Sequence, residues 1–394
     1  MADDSLSERA LDLLGHLCAL AAFAFVARGA TLLEGWTRVE PAQADAELPL
    51  LSIVVPARNE ARTIARCVRS LLAQQLARFE VIVVDDRSDD GTGAILEELA
   101  RDEPRLRVIR GEPLPDGWVG KPWALEQGVR ASSGDWLLFT DADTWHAPNA
   151  SVSSLSFARR HDLDALSLWA HQEMESWGER AVLPTVLGLV LFATGSIRQL
   201  NDPRDTEHAL ANGQYILSSR ACYQALGGHA ALRGEIVEDI AFARRLKADG
   251  RFRLAIADGS DLVRVRMYRS LGEVWNGFTK NTYVAARGDL RALAGAAAFL
   301  SLLSVVPVAL AVDGLARRRP LRSVEALATL GGTIAIEAYL LQRIGLRASL
   351  AVFAPAGFAA SAGILLTSTV SVLSGRGVTW RGRRYTGRVA GERP

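Results

Sequence analysis

The stretch that most constrains the fold is residues 81–92, VIVVDDRSDDGT, in which four consecutive β-branched residues run directly into a pair of aspartates. A short apolar run without alternation predicts a strand that is buried on both faces. Asp85 and Asp86 then mark the carboxyl end of that strand. Asp89 or Asp90 can cap the helix that follows, with Gly91 in the turn.

The segments on either side repeat this order of strand and helix. Apolar runs at 51–55, 106–109 and 136–140 predict three more strands, and apolar residues at helical spacing separate them, with Asn59 as the candidate cap of the first helix. This pattern indicates an α/β fold with a doubly wound, mostly parallel sheet. Ligands bind beyond the carboxyl ends of such strands. The acidic residues expected along that edge are Asp85, Asp86, Asp141 and Asp143.

Composition divides the chain into a soluble part and a membrane part. Hydrophobic residues make up 49% of the 394 residues although 23% are charged. The uncharged runs 292–312 and 349–373 are long enough to span a bilayer, and 324–341 is apolar but contains Glu325 and Glu337. Near the N-terminus, 13–26 is either a tilted anchor or an interfacial helix. The predicted organisation is a membrane anchor at 1–35, a soluble domain at 48–290, transmembrane helices at 291–375 and a basic tail at 376–394.

Charge and cysteine content exclude several classes of function. A formal net charge of +1 argues against nucleic acid as the main partner, because nucleic-acid binders concentrate a basic surplus. Cys18, Cys67 and Cys222 lie far apart without metal-site spacing. We therefore expect neither a disulfide framework nor a zinc site.

The triplet Asp141-Ala142-Asp143 follows the predicted strand 136–140. Mg²⁺ and Mn²⁺ prefer hard oxygen ligands, and Mg²⁺ is commonly held by one or two carboxylates together with substrate phosphate. Two acids in a turn are also common in solvated loops. The metal hypothesis gains weight from the second acidic pair at 85–86, which could accept hydrogen bonds from a nucleotide base or ribose.

Several further motifs occur in a fixed order along the chain. They are 52–60 (SIVVPARNE), 84–92 (VDDRSDDGT), 117–124 (GWVGKPWA), 139–143 (FTDAD), 211–215 (ANGQY), 227–229 (GGH), 237–240 (VEDI) and 266–281. Together they resemble the large family 2 of inverting glycosyltransferases with the GT-A fold, over roughly residues 50–290. The Gly-Trp-x-Gly-Lys-x-Trp-Ala element is similar to the branch that acts on membrane lipids, which includes hopanoid-associated, carotenoid-type and ceramide-glucosyltransferase-like enzymes.

This resemblance implies a role for each matching position. The nucleotide-sugar-binding residues would be Pro56, Arg58, Glu60, Asp85, Asp86, Lys121, Asp141, Gly213, Gln214 and Trp275. Asp141 and Asp143 would hold a divalent metal, Mg²⁺ or Mn²⁺. Asp239, next to Glu238, would be the general base that deprotonates the acceptor hydroxyl. On position alone, both acids would simply complement the dipole of the helix that starts there.

The expected function is therefore inverting transfer of a single sugar from a nucleotide-sugar, with a UDP-sugar as the expected donor, to a membrane-lipid hydroxyl. Nucleotide-sugars are cytosolic, so the expected location is the cell membrane, multi-pass, with the catalytic domain facing the cytoplasm. Alternatives are a polyprenyl-phosphate or polysaccharide glycosyltransferase, or a non-catalytic membrane scaffold. A nucleotidyltransferase would normally show a Gly-rich phosphate loop, which 56–59 is not.

Three features leave alternatives open. A Gln/Arg-x-x-Arg-Trp motif is absent, which argues against a processive synthase; Tyr268-Arg269 or 380–385 would substitute, or 380–385 is a basic membrane anchor. The apolar segment 181–197 is either a core helix or an interfacial helix that presents lipid. Three full spans after the catalytic part would place 317–322 and the basic tail outside, against the positive-inside tendency, so we expect a cytoplasmic tail.

Overall fold

A computed structural model describes residues 2–42, 48–285, 289–374, 378–380 and 383–385. Contacts divide the chain into two compact units. The sheet unit comprises Gly35–Glu173 and Ile197–Met267, and the helical unit comprises Met1–Glu34, Met174–Ser196 and Tyr268–Pro394. This division differs from the predicted soluble domain at 48–290, because segments 174–196 and 268–290 group with the helices.

The elements of both units are numbered here in chain order. The strands are β1 (Leu51–Ala57), β2 (Phe79–Asp85), β3 (Leu106–Arg110), β4 (Trp136–Phe139), β5 (Thr144–His146), β6 (Ala165–Trp169), β7 (His171–Gln172), β8 (Ile216–Ser219), β9 (Leu254–Asp258), β10 (Val263–Val265), β11 (Val378–Trp380) and β12 (Arg383–Tyr385). The α-helices are α1 (Ala2–Leu32), α2 (Ile64–Leu72), α3 (Thr92–Ala100), α4 (Gly120–Arg130), α5 (Ala150–Arg160), α6 (Trp177–Thr194), α7 (Ile197–Asn201), α8 (Arg220–Ala225), α9 (Glu238–Asp249), α10 (Leu271–Ala285), α11 (Leu290–Leu302), α12 (Val305–Ala316), α13 (Pro320–Arg343) and α14 (Ala354–Leu373). Short 3₁₀ helices cover His229–Leu232 and Ala348–Phe353.

The sheet unit is built on seven strands in the order β3-β2-β1-β4-β8-β6-β9. All neighbouring pairs are parallel except those of β8, which runs antiparallel to β4 and β6. The predicted mostly parallel α/β sheet is confirmed. In the register, Ala57 faces Asp85 and Val54 faces Phe139. The carboxyl ends of β1, β2 and β4 therefore meet at one edge, as expected for strands followed by Asp85 and Asp141.

The sheet is covered on both faces because successive side chains of a strand point to opposite sides. Ile53 and Val55 of β1 belong to one buried cluster, which also contains Ile64 of α2 and Leu155 of α5. Val54 belongs to a different cluster, on the side of α4 and α9. This explains why β1 and β2 are apolar at nearly every position.

Capping residues were predicted for two helices of this unit, α2 and α3. Asn59 does not cap α2, which begins five residues later after Thr63. Instead Asn59 has a positive φ of 54°, and its Oδ1 accepts a hydrogen bond from the Asp89 amide. At α3 the expected acid is used: Asp90 Oδ1 accepts hydrogen bonds from the amide and hydroxyl of Thr92.

Among the residues that the structure describes, four helices of the helical unit are long and apolar enough to cross a membrane. They are Ser7–Leu32, Leu290–Ala316, Pro320–Arg343 and Ala348–Ser371. The first is much longer than the predicted run 13–26. The second is broken between α11 and α12 at Ser304, inside the predicted run 292–312. The third includes Glu325 and Glu337. Four such helices indicate a membrane protein.

Helices α1 and α13 run parallel, since Arg322 contacts Glu8 while Ile336 packs against Gly29 further along both helices. Arg322 also contacts Asp12 and Asp313. Because α1 and α13 start together, the arginine-rich segment 317–322 lies beside acids that neutralise it.

Segment 181–197 falls mostly in α6, which belongs to the helical unit and packs closely against α14, where Gly357 accommodates the Thr185 side chain. The predicted basic tail at 376–394 lies largely outside the described residues, which there include only the hairpin of β11 and β12.

Candidate active site

A pocket opens at the sheet edge where β1 and β4 end and where α4 and α9 begin. Its polar lining is formed by Lys121, Thr140, Asp141, His229, Glu238 and Asp239. Its apolar lining is formed by Pro56, Leu125, Phe139, Ile216 and Phe242, with Gly213 on the rim. Four groups proposed from sequence for different tasks, Lys121, Asp141, Glu238 and Asp239, thus line one pocket.

Lys121 is the central cation of this pocket. Its Nζ lies 2.7 Å from Asp141 Oδ1 and 2.7 Å from Glu238 Oε1. Burial alone would lower the pKa of Lys121, but Asp141, Glu238 and Asp239 together raise it well above the ordinary value. Lys121 is also the second residue of α4, whose N-terminal end carries partial positive charge. The pocket thus combines one cation with three carboxyls, and Lys121 contacts two of them directly.

Glu238 and Asp239 begin α9, and their environments separate their acidities. Burial and the neighbouring Glu238 carboxylate raise the pKa of Asp239 to about 6, against the opposing effect of Lys121. Burial would also raise the pKa of Glu238, but Lys121 offsets it and holds that pKa below the ordinary value. Two adjacent carboxyls with pKa values pushed apart are typical of acid–base sites.

Backbone contacts fix the orientation of Asp239. Its Oδ2 accepts a hydrogen bond from the Gly213 amide at 2.9 Å, and its Oδ1 accepts one from the Ile240 amide at 2.8 Å. A Cβ at position 213 would lie 2.9 Å from Lys121 Nζ and 3.1 Å from Asp239 Oδ2. A larger residue at position 213 would therefore displace the Lys121 ammonium.

The loop after β4 holds the acidic triplet by its backbone. The Thr144 hydroxyl donates to the Asp141 carbonyl at 2.7 Å, and the Thr140 hydroxyl donates to the Gln214 carbonyl at 2.7 Å. Within the described residues, no group of three or more histidine, cysteine, aspartate or glutamate side chains is poised around a metal position. Asp141 lines the pocket, and Asp141 and Asp143 both carry the hard carboxylate oxygens that Mg²⁺ and Mn²⁺ prefer.

The residues predicted for the nucleotide lie at the ends of β1 and β2. Arg58 Nη1 donates to the Asp86 carbonyl at 2.6 Å, and Asp85 Oδ1 accepts from the Ser88 amide at 3.0 Å. Glu60 Oε2 accepts from the Thr63 hydroxyl at 3.1 Å. Of this predicted group, Pro56 lines the pocket that contains Lys121.

The same edge contains unusual backbone. Asn59 and Arg87, which follow β1 and β2, both adopt positive φ angles, 54° and 58°. Non-glycine residues rarely adopt this region, and such conformations cluster at functional sites. The geometry supports a ligand site here independently of any acidic side chain.

Two residues predicted to bind the nucleotide-sugar, Gln214 and Trp275, are not among the residues that line the pocket. The Gln214 side chain is buried in a network, where its Oε1 accepts hydrogen bonds from Gln172 and Asn212, so it supports the loop behind Asp141. Trp275 belongs to the helical unit, where its ring packs against Gly363. The described contacts give no support to its predicted role at the donor.

His229 is a pocket residue that the sequence interpretation did not assign. Its Nδ1 lies 2.8 Å from the Tyr223 hydroxyl, and burial lowers the pKa of His229 to about 4, so the ring is neutral. Gly227 and Gly228 before it have φ of 82° and 57°, and a Cβ at Gly228 would collide with the Tyr223 ring. The glycine pair is the sequence feature from which His229 could have been identified, because it allows the chain to place His229 against the Tyr223 side chain.

The sheet unit is thus a mostly parallel α/β fold with acidic residues along the carboxyl edge of its strands. Residues 52–207 match the family model described as Glycosyl transferase family 2. The match identifies a glycosyl transferase family 2 domain within this chain.

Two relatives sharpen the comparison. The chain is 28% identical over 245 residues to 4,4'-diaponeurosporenoate glycosyltransferase of Staphylococcus aureus (strain MRSA252), an alignment that covers 60% of this chain and 62% of that protein. The chain thus matches about three-fifths of that relative's length. Among solved structures, the mannosyltransferase PcManGT from Pyrobaculum calidifontis in complex with GDP-Man and Mn²⁺ superposes with a TM-score of 0.51 at 19% identity, covering 93% of this chain and 98% of that one. This likeness supports the fold.

Proposed function

We propose that this protein transfers a single sugar from a nucleotide-sugar to the hydroxyl of a membrane lipid, with inversion at the anomeric carbon. The observation that carries the proposal is the pocket in which Lys121 bridges Asp141 and Glu238 beside Asp239, a carboxyl with a pKa of about 6. A base with this pKa is largely ionised at neutral pH yet still basic enough to take a proton.

In the proposed reaction, the acceptor oxygen forms a bond to the anomeric carbon while the bond from that carbon to the diphosphate oxygen breaks. Asp239 takes the proton of the acceptor hydroxyl. Lys121 lies where it can balance the charge that develops on the diphosphate. Asp141 and Asp143 would hold a divalent ion, which supplies further positive charge to the leaving group when bound. Single displacement by one base accounts for inversion.

The lipid acceptor and the membrane location rest on separate support. The helical unit contains four helices long enough to span a bilayer, and the curated relative is a carotenoid-type enzyme. A UDP-sugar is the donor we propose, and we place the catalytic unit on the cytoplasmic side, where nucleotide-sugars are made. Arg58, Glu60, Asp85 and Asp86 would then surround the base and ribose at the ends of β1 and β2.

A donor panel tests this function directly. Purified protein in nanodiscs is given UDP-glucose, UDP-galactose, UDP-N-acetylglucosamine or GDP-mannose, a total lipid extract and Mg²⁺ or Mn²⁺, and glycolipid products are measured by mass spectrometry. We expect a new glycolipid with one donor, and none with Asp239→Asn. Absence of a lipid product with every donor would contradict the proposal.

A further inference from the structure

Helix α13 carries two carboxylates within a segment apolar enough to cross a membrane, and the chain treats them differently. Glu325 is paired: its Oε1 lies 2.8 Å from His16 Nδ1 on α1. Glu337, about three turns further on, is only 2% exposed. Its Oε1 has no hydrogen-bond partner in the described part of the chain.

An unpaired carboxyl at this depth is costly. Glu337 lies in the second half of the 24-residue helix α13. An acidic side chain costs roughly 2.5–3.5 kcal/mol at the centre of a spanning helix on insertion scales and less towards its ends, and such residues are usually paired or functional. Thr185 of α6 interacts with the Glu337 side chain, and a single hydroxyl hydrogen can satisfy only one of the acceptor positions of a carboxylate. One oxygen therefore remains available to a hydrogen-bond donor from outside the chain.

Gly188 leaves space beside this carboxyl. A Cβ built at Gly188 would meet Glu337 Oε2 at 3.7 Å and Oε1 at 3.9 Å, and no other described residue outside α6 within 4 Å. A methyl group would thus fit in ordinary contact, so Gly188 leaves room for one methyl-sized group beside the carboxyl. Thr185 lies one turn earlier on the same side of that helix.

We propose that Glu337, together with the gap at Gly188, is a binding site for a hydroxyl-bearing lipid, whose hydroxyl donates a hydrogen bond to the carboxyl. A long-chain alcohol is the donor best suited to a site enclosed by apolar helices, because its chain can remain among them while its hydroxyl reaches the acid. The site lies entirely within the helical unit and does not depend on the transfer reaction.

A matched pair of ligands tests the hydrogen bond. Dibromo-octadecanol and its methyl ether have the same chain, but only the alcohol can donate. Both are titrated into the full-length protein in nanodiscs, and quenching of tryptophan fluorescence by bromine reports binding. We expect the wild type to bind the alcohol about fivefold to tenfold more tightly than the ether, the effect of one net hydrogen bond.

Three variants complete the test. Glu337→Leu removes the acceptor at similar volume, and Gly188→Ala fills the gap in ordinary contact while favouring the helix, so loss of binding in that variant does not reflect unfolding. Both should bind alcohol and ether equally, whereas Glu325→Gln should keep the preference. Equal binding of the two ligands by the wild type, or a preference that survives in Glu337→Leu and Gly188→Ala, would overturn the proposal.

Discussion

The two units of this protein handle buried charge in opposite ways. In the sheet unit, Lys121, Asp141, Glu238 and Asp239 are concentrated in one pocket, where they perturb each other's pKa values. In the helical unit, Arg322 is enclosed by Glu8, Asp12 and Asp313. The first set is open to a ligand and contains an acid held away from its ordinary pKa. In the second set the buried Arg322 guanidinium is paired with three acids of the same unit, and only Asp12 among them is largely exposed.

This difference separates function from architecture. A group whose pKa is displaced in an open pocket is a candidate for chemistry. A buried charge whose partners all come from the same chain fixes the packing of helices. We therefore expect changes in the sheet-unit pocket to affect rate, and changes at Arg322 to affect stability.

The largest expected effect is at Asp239. Replacement by Asn keeps the size of the side chain but removes the base, so turnover should fall by about 10²–10⁴-fold while the donor still binds. Steady-state transfer and nucleotide-sugar binding by calorimetry measure the two quantities. Asp249→Asn, at the far end of the same helix, where the half-buried acid pairs with Arg251, is the matched control. A transfer rate within a few-fold of wild type in Asp239→Asn would remove Asp239 as the base.

Lys121→Gln should have the next largest effect. Loss of a charged group that stabilises a leaving group typically costs about 10²–10³-fold in rate, and Gln keeps a similar chain without the charge. We expect kcat to fall more than the affinity for the donor. Lys121→Arg should rescue little, because the space between Asp141 and the Gly213 backbone suits a compact ammonium. Full activity of the Gln variant would show that the ion pairs only hold the loops together.

The sequence predicted the sheet more completely than the site. Uninterrupted apolar runs identify β1, β2 and β4, and a parallel sheet then brings their carboxyl ends together. The sequence could not show that Lys121 lies between Asp141 and Glu238, because that depends on where α4 and α9 start in space. Asn59 was predicted as a helix cap from its residue type alone, but its positive φ and its contact with Asp89 arise from the neighbouring loop.

The helical unit was less predictable from sequence. Hydropathy identifies apolar segments, but it does not show which polar residues face each other. Glu325 and Glu337 look alike in sequence, although one is paired with His16 and the other has an unsatisfied oxygen. The parallel arrangement of α1 and α13 likewise depends on how the helices pack. It places Arg322 of α13 beside Glu8 and Asp12 of α1.

A smaller effect is expected in the pH dependence of transfer. Asp239 must be ionised to act, so kcat/KM should fall as the pH drops below about 6. Glu238→Gln removes a like charge that raises the pKa of Asp239. It also removes one of the acids paired with Lys121, so the positive charge of Lys121 lowers the pKa of Asp239 more strongly. Both changes favour the ionised base, so the acidic limb should move to lower pH by about one unit. An unchanged limb would show that another group controls it.

The smallest effect on catalysis should come from the closed charge set of the helical unit. Arg322→Gln removes the cation that Glu8, Asp12 and Asp313 share, although Arg317 still contacts Glu8 and Asp313, and losing the buried guanidinium costs free energy. We expect a loss of about 1–3 kcal/mol in the free energy of unfolding, seen as a lower Tm, with kcat/KM per folded molecule unchanged. Arg343→Gln, exposed at the other end of α13, is the control and should change stability by less than about 1 kcal/mol. If Arg322→Gln instead reduced transfer at full stability, the separation between an open catalytic set and a closed structural set would fail.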